Sequence, residues 1–107
     1  MARLRLTKTG WIKICRLVTE RDKWCIVCGN PYGNHHHHVV FRSAMGSDTI
    51  DNLVLLCMNC HMTKAHGYQS HHWRNEFKRY LEQEEVKAFY KEHEREINEI
   101  YIRNKRG

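Results

Sequence analysis

No stretch of this chain is apolar for long enough to cross a membrane. The longest apolar run, "NLVLLCM" (Asn52 to Met58), falls far short of the ~20 residues a span needs. The basic start "MARLRLTKTG" leads into no apolar segment of the kind a signal peptide requires. A soluble, cytoplasmic protein is the expectation. Proline is nearly missing, with one residue in 107, and no low-complexity linker divides the sequence. Residues 1–107 are therefore read as one small domain, of a size that often needs a metal or a partner subunit to supplement its core.

Acidic residues are in deficit, 12 against 18 basic ones, for a net charge of +6. The deficit is local. Residues 1–24 carry Arg3, Arg5, Lys8, Lys13, Arg16, Arg21 and Lys23 against only Glu20 and Asp22, while the remainder is close to balanced. Such a patch suits a phosphate backbone, although a solvated helix face would read the same way.

Cysteine is present in an odd number, five, which together with the cytoplasmic expectation argues against a disulfide framework. Cys15 falls on the apolar side of "WIKICRLV" and is read as a small core residue. The other four form two pairs, "CIVC" (Cys25, Cys28) and "CMNC" (Cys57, Cys60). Each pair presents two thiolates from a tight turn, and two such turns complete a tetrahedral sulfur cage for structural Zn²⁺. Gly29 allows the backbone turn after the second cysteine. A closed four-cysteine site has no open coordination position, so any metal chemistry must use other ligands.

Local patterns place these residues. Trp11, Ile14, Cys15 and Val18 recur at helical spacing, predicting a helix capped by Thr9 and ending near Arg21. "HHHVVF" and "NLVLLC" read as strands, the second buried on both faces. A helix is expected from Met58 or Asn59 to about Gly67. Residues 69–105 form a charged helical extension with a stripe of Trp73, Phe77, Tyr80, Leu81, Val86, Phe89, Tyr90, His93, Ile97 and Ile100. The stripe shifts near Gln83 to Glu85, so one bent helix or two short ones would satisfy it. It either packs on the core or leaves a homodimer open.

What remains is the run of four histidines in "GNHHHHVVFRS". From His37 on, "HHVVFRSAMGSDTIDNLVLLCMNCH" resembles the HNH endonuclease family, in its zinc-containing ββα-metal, treble-clef-like branch. The matching elements are the His-His-hydrophobe step, Arg42-Ser43, Gly46 and Asp48, the strand beginning at Asn52, and His61 directly after the last cysteine. The resemblance covers about residues 11 to 66.

It implies an α+β fold: a ββα-metal core with a structural four-cysteine zinc site over residues 9–66, an N-terminal helix and a C-terminal helical extension. It also implies a metal-dependent endonuclease that hydrolyses DNA phosphodiesters to 5′-phosphate and 3′-hydroxyl ends, nicking or cutting both strands. His38 would be the general base and Asn52 would brace the loop that orients it. His37 and His61 would hold one catalytic divalent cation. Imidazole ligands favour Mn²⁺, Co²⁺, Ni²⁺ or Zn²⁺, whereas relatives with aspartate at the His37 position suit Mg²⁺. His66 lies five residues after His61, one more than is common in the family, which on a 3.6-residue helix rotates it about 100° further round. It is a third candidate ligand.

Arg42 and Lys64 are candidate phosphate contacts, with Lys13 and Arg16 on the N-terminal helix as a second DNA surface. His37 and His38 would face opposite sides of a regular strand, so a bend or bulge is expected there. A regular strand would bring His35 and His36, otherwise loop residues, into consideration. The competing reading is a zinc-containing DNA-binding module without catalysis, which leaves His37, His38, Asn52 and His61 unexplained. A bacterial or phage setting fits a small enzyme of this kind.

Overall fold

The structure, a computed structural model, describes residues 3–104. Helix α1 (Lys8–Asp22) precedes strands β1 (His35–His38) and β2 (Leu53–Leu56), which pair antiparallel. One helical turn, α2 (Met58–Cys60), runs directly into a wider π-helical turn (His61–Ala65), and α3 (Ser70–Leu81), α4 (Glu84–Glu92) and α5 (Glu94–Asn104) complete the chain. This is the expected α+β arrangement of a two-stranded sheet and a helix around four cysteines. No helix among the described residues is long and apolar enough to cross a membrane.

The two-stranded sheet separates two cores. Opposed residues of an antiparallel pair share a face, and the register sets His36 against Leu55 and His38 against Leu53. Leu53 and Leu55 pack with Ile14, Leu17 and Val18 of α1 and with Ile97 and Ile100 of α5. On the other face His35 opposes Leu56 and His37 opposes Val54. There Val54 and Leu56 join three of the cysteines and Phe77 of α3. All four β2 residues are buried, as a strand with a core on each side requires. Asp22 ties the layers together: Arg21 pairs with it at 2.7 Å, the Leu55 amide donates to it at 2.9 Å and the Tyr80 hydroxyl at 2.6 Å.

Several boundaries differ from expectation for identifiable reasons. Thr7, not Thr9, caps α1, its hydroxyl accepting from the Gly10 amide at 3.3 Å. β1 starts one residue early and stops at His38 because the side chain of Asn52 replaces a backbone neighbour. Its amide oxygen accepts from Val40 N–H at 2.8 Å while its Nδ2 donates to the Val40 carbonyl at 3.1 Å. The extension breaks twice, at the extended Gln83 (φ −64°, ψ 143°) and again at His93, giving three helices. Phe77, Ile97 and Ile100 of its apolar stripe are buried within the chain.

Candidate active site

The four cysteines converge, their sulfurs all lying within 4.8 Å of one another. The first pair sits on a tight turn in which Gly29 takes a left-handed φ of 78°. The second is folded by its own helix start, where Cys57 caps α2 by accepting from the Cys60 amide. Ile26 N–H donates to the Leu55 carbonyl at 3.1 Å, anchoring the first turn to β2. The Cys28 and Cys57 sulfurs are 3.7 Å apart. Sulfurs bonded at ~2.3 Å to a tetrahedral zinc would be about 3.8 Å apart, so the cage fits that ion. Burial pushes the Cys25 thiol up, but the amides of Cys28, Cys57 and Val27 more than offset it and bring it down to about 7, towards the thiolate a metal needs.

A second convergence uses the histidines. One ring nitrogen from each of His37, His61 and His66 lies within 4.8 Å of the other two. The Nε2 atoms of His61 and His66 are 3.1 Å apart, near the ~3.4 Å edge expected for imidazoles around a tetrahedral ion. The five-residue spacing is accommodated by the π turn, in which His66 N–H donates to the His61 carbonyl at 3.1 Å. One wide turn returns His66 to the side of His61, where a 3.6-residue helix would have carried it away. Gly67 lets the chain leave that turn, since a Cβ there would collide with the Thr63 carbonyl oxygen.

Burial, with His61 and His66 close by, presses the His37 imidazole down to about 3. Burial, then His66 and His35, also lowers that of His61. Neutral imidazoles with free lone pairs are what a metal requires. His37 is buried, His61 half-buried and His66 exposed, so the set opens outward on the His66 side.

Strand β1 is regular over the run, with no bulge, so the histidines alternate. His35 joins His37 on the metal-facing side, its Nδ1 lying 3.0 Å from Nδ1 of His61. Such a contact fixes which His61 nitrogen is left for a metal. His36 turns to α1, 2.9 Å from the Thr19 hydroxyl. His38 also faces α1: its ring stacks on Trp11 at 5.4 Å, and its Nε2 is 2.8 Å from a carboxylate oxygen of Asp48.

Asp48 is a residue the sequence pattern includes without assigning it a role. It is fully buried, and it accepts from the Leu6 amide at 3.0 Å and from Arg5 and Arg42 at 3.0–3.2 Å. Burial alone would raise its carboxyl, yet the Leu6 amide, His38 and Arg42 hold it below the usual range. His38 is in turn lowered, by burial first and by Arg42 and Arg5, against the pull of Asp48. The signal for Asp48 in sequence was the acid after Gly46; its partners, 42 and 43 residues upstream, were invisible there.

Asn52 holds the loop between the strands, adding a 3.0 Å bond from Nδ2 to the Ser47 carbonyl to those it makes with Val40. Arg42 is engaged with Asp48 and lies over the Trp11 ring at 5.3 Å. Lys64, on the π turn, lies over Trp73 at 5.2 Å. The two α1 candidates are not drawn to the histidines. Arg16 pairs with Glu20 at 3.1 Å and Glu96 at 2.6 Å. Lys13 is two residues, roughly 200° of helix, from the Trp11 that touches His38.

Comparison with known proteins agrees with this geometry. A family model described as "HNH endonuclease" matches residues 25–67. The type IV methyl-directed restriction enzyme EcoKMcrA of Escherichia coli (strain K12) is 58% identical over 48 residues, which is 45% of this chain and 17% of that enzyme. The match thus spans a small part of the relative's length. No solved structure matches the chain. Residues 25–67, which hold both cysteine pairs, the histidine run, Asp48, Asn52, His61 and His66, are those in which this chain is similar to the HNH endonucleases.

Proposed function

We propose that the protein is a metal-dependent DNA endonuclease in which His38 is the general base and His37, His61 and His66 hold one divalent cation. The observation that carries this reading is the convergence of three imidazoles from two elements on an outward-opening site with no fourth protein ligand among the described residues. A closed structural site would have four. The cysteine cage is proposed to hold structural Zn²⁺. The imidazole set is proposed to favour Mn²⁺, Co²⁺, Ni²⁺ or Zn²⁺ over Mg²⁺.

A cation bound there would supply Lewis acidity to a nonbridging phosphate oxygen and to the departing 3′ oxygen. The remaining work falls to the chain's own groups. Asp48 accepts a hydrogen bond from the proton-bearing Nε2 of His38, which leaves the Nδ1 lone pair free. With its pKa lowered, the ring is unprotonated near neutrality and takes a proton from the attacking water at Nδ1. The water oxygen bonds to phosphorus as the bond to the 3′ oxygen breaks, and the 3′ oxygen takes a proton from solvent, which leaves 5′-phosphate and 3′-hydroxyl ends.

His37 and His38 leave opposite faces of β1, so the scissile phosphate must reach both across the edge of β1 that faces away from β2. A strand is one backbone thick there, and water adds reach. Asn52 acts at a distance by keeping the loop that carries Asp48 closed on itself. Lys64, on the turn that carries His61, and Arg42, beside Asp48, are the proposed contacts to flanking phosphates.

Plasmid cleavage tests the reading, with zinc-restored protein, each of Mg²⁺, Mn²⁺, Co²⁺, Ni²⁺ and Zn²⁺ added separately, and His38→Ala as control. Cutting supported by one of the softer ions and lost by about 10²–10⁴-fold in the variant is expected. Nicked and linear products separate one-strand from two-strand cutting. Folded protein that binds DNA but leaves it intact under every ion would replace the nuclease with a zinc-containing binding module.

A further inference from the structure

Helix α3 lies outside the stretch similar to the HNH endonucleases, yet it delivers an arginine to the histidines. Arg74 sets its guanidinium carbon 5.1 Å from the centroid of the Phe41 ring. Phe41 in turn stacks on His66 at 5.2 Å and meets His37 edge-on at 5.7 Å. The Nε of Arg74 is buried and has no hydrogen-bond partner. Arg5 and Arg42 close on Asp48 and Arg21 on Asp22, whereas Arg74 pairs with no carboxylate among the described residues.

The Nε is covered by protein, so an anion arriving from solvent would be met by the terminal nitrogens of the guanidinium, which among the described residues pair with no carboxylate. The neighbouring ligand set favours an anion too. Three imidazole ligands bring no negative charge, so a divalent cation among them would add to the positive charge of Arg74 with no protein carboxylate in the set to offset either. Both call for one anion between them.

We propose that Arg74 is a substrate-binding residue that donates from its guanidinium to a nonbridging oxygen of the DNA phosphate seated on the open side of His37, His61 and His66. This rests on the nuclease reading for the identity of the anion. Arg74 is placed for it by its guanidinium over Phe41, whose ring also meets two of the three imidazoles. Arg42 is less suited, because both its Nε and a terminal nitrogen are committed to Asp48.

The test compares wild type with Arg74→Met, which keeps an unbranched side chain without the guanidinium, and Arg74→Lys, which keeps the charge without the fork. Folding is checked by melting temperature, and triad metal affinity by calorimetry with Ni²⁺. Arg74→Met should slow single-turnover cleavage by about 10²-fold, with Arg74→Lys recovering part of the loss. Ni²⁺ affinity should be kept or strengthened, since a nearby cation has been removed.

The second arm needs no cleavage. In a His38→Ala background, anisotropy of a short labelled duplex should show at least several-fold weaker binding when Arg74→Met is added, most clearly with Ni²⁺ present. Cleavage and duplex binding both unchanged in Arg74→Met would overturn the assignment. Should that variant not fold, Arg74→Lys decides, with a tenfold slower rate expected and a wild-type rate overturning it. A wild type that cuts nothing would instead defeat the nuclease reading, and the duplex arm would still judge Arg74.

Discussion

Cys60 and His61 are consecutive residues at the start of one short helix, yet they belong to two sites of opposite kind. Cys60 faces inward, 1% exposed, to a sulfur cage that is part of the core with Val54, Leu56 and Phe77. His61 faces a rim of imidazoles and cations that opens to solvent at His66. The cage offers four sulfur donors, a complete tetrahedral set that leaves no open position on a metal held there. The rim has three imidazole donors, an arginine with no carboxylate partner among the described residues and an open side, so it has room for an ion and an anion from outside. On the proposed reading, one turn of chain carries both a ligand of the structural metal and a ligand of the ion that meets the substrate.

The largest effect should come from separating these neighbours by substitution. Cys60→Ser should remove most of the folding free energy that a structural zinc contributes, on the order of 10 kcal/mol in small zinc modules, and leave no cooperative melt. His61→Ala should retain the zinc and a melting temperature within about 5 °C of wild type, since His61 is half-buried and anchors no core. It should lose Ni²⁺ binding at the rim and with it cleavage. Calorimetric melts and zinc content on the two variants check the pair. A His61→Ala chain that unfolds as Cys60→Ser does would make the two sites one.

How much of this could be read from the sequence follows the same division. The cage was legible because its information is local: two CxxC pairs, each a turn, need only be brought together. The rim was legible in its donors but not in its geometry. His66 looked displaced on a 3.6-residue helix, and only the π turn from His61 to Ala65 returns it. The run of histidines left open whether the strand bulges; it is regular, and the sheet sorts His35 and His37 from His36 and His38. Asp48 and Arg74 carry the longest-range information, since their partners come from residues 5 and 6 and from Phe41 respectively. No pattern of spacing encodes such meetings.

A smaller effect should come from Asp48, fully buried beside His38 on the α1 side of the sheet. Asp48→Asn keeps the shape but leaves Arg5 and Arg42 without their carboxylate. The cost should be about 2 kcal/mol, below the ~3–5 kcal/mol of a fully buried pair because Arg42 is half exposed. Its pH dependence has a definite sign. Asp48 is held below the usual carboxylate range, so its contribution is complete above about pH 4 and fades as pH falls through its folded value. His37, held at about 3, acts in the same direction over a higher window. From about pH 6.5 downward the unfolded chain takes up a proton that the folded chain refuses, so stability falls. Denaturant midpoints between pH 7 and 2, measured without metal at the rim, should therefore fall with pH in both proteins. The Asp48→Asn curve should start lower, and the gap to wild type should narrow below about pH 4, where wild type loses the carboxylate's contribution. Parallel curves there would mean that Asp48 is not ionised in the fold.

The smallest effect tests where the rim ends. Lys13 is exposed on α1 and lies about 200° round the helix from Trp11, the residue of α1 that stacks on His38. If DNA lies across the edge of β1 and the open side of the imidazoles, Lys64 is within its footprint and Lys13 at most touches a distant phosphate. Lys64→Ala should lower the slope of log K against log salt by about 1, the signature of one lost phosphate contact. Lys13→Ala should leave both slope and single-turnover rate within error. Equilibrium binding of a short duplex over a range of salt concentrations measures both. An equal change of slope for the two variants would extend the DNA path over α1, and the N-terminal excess of positive charge would then be part of the binding surface rather than a solvated helix face.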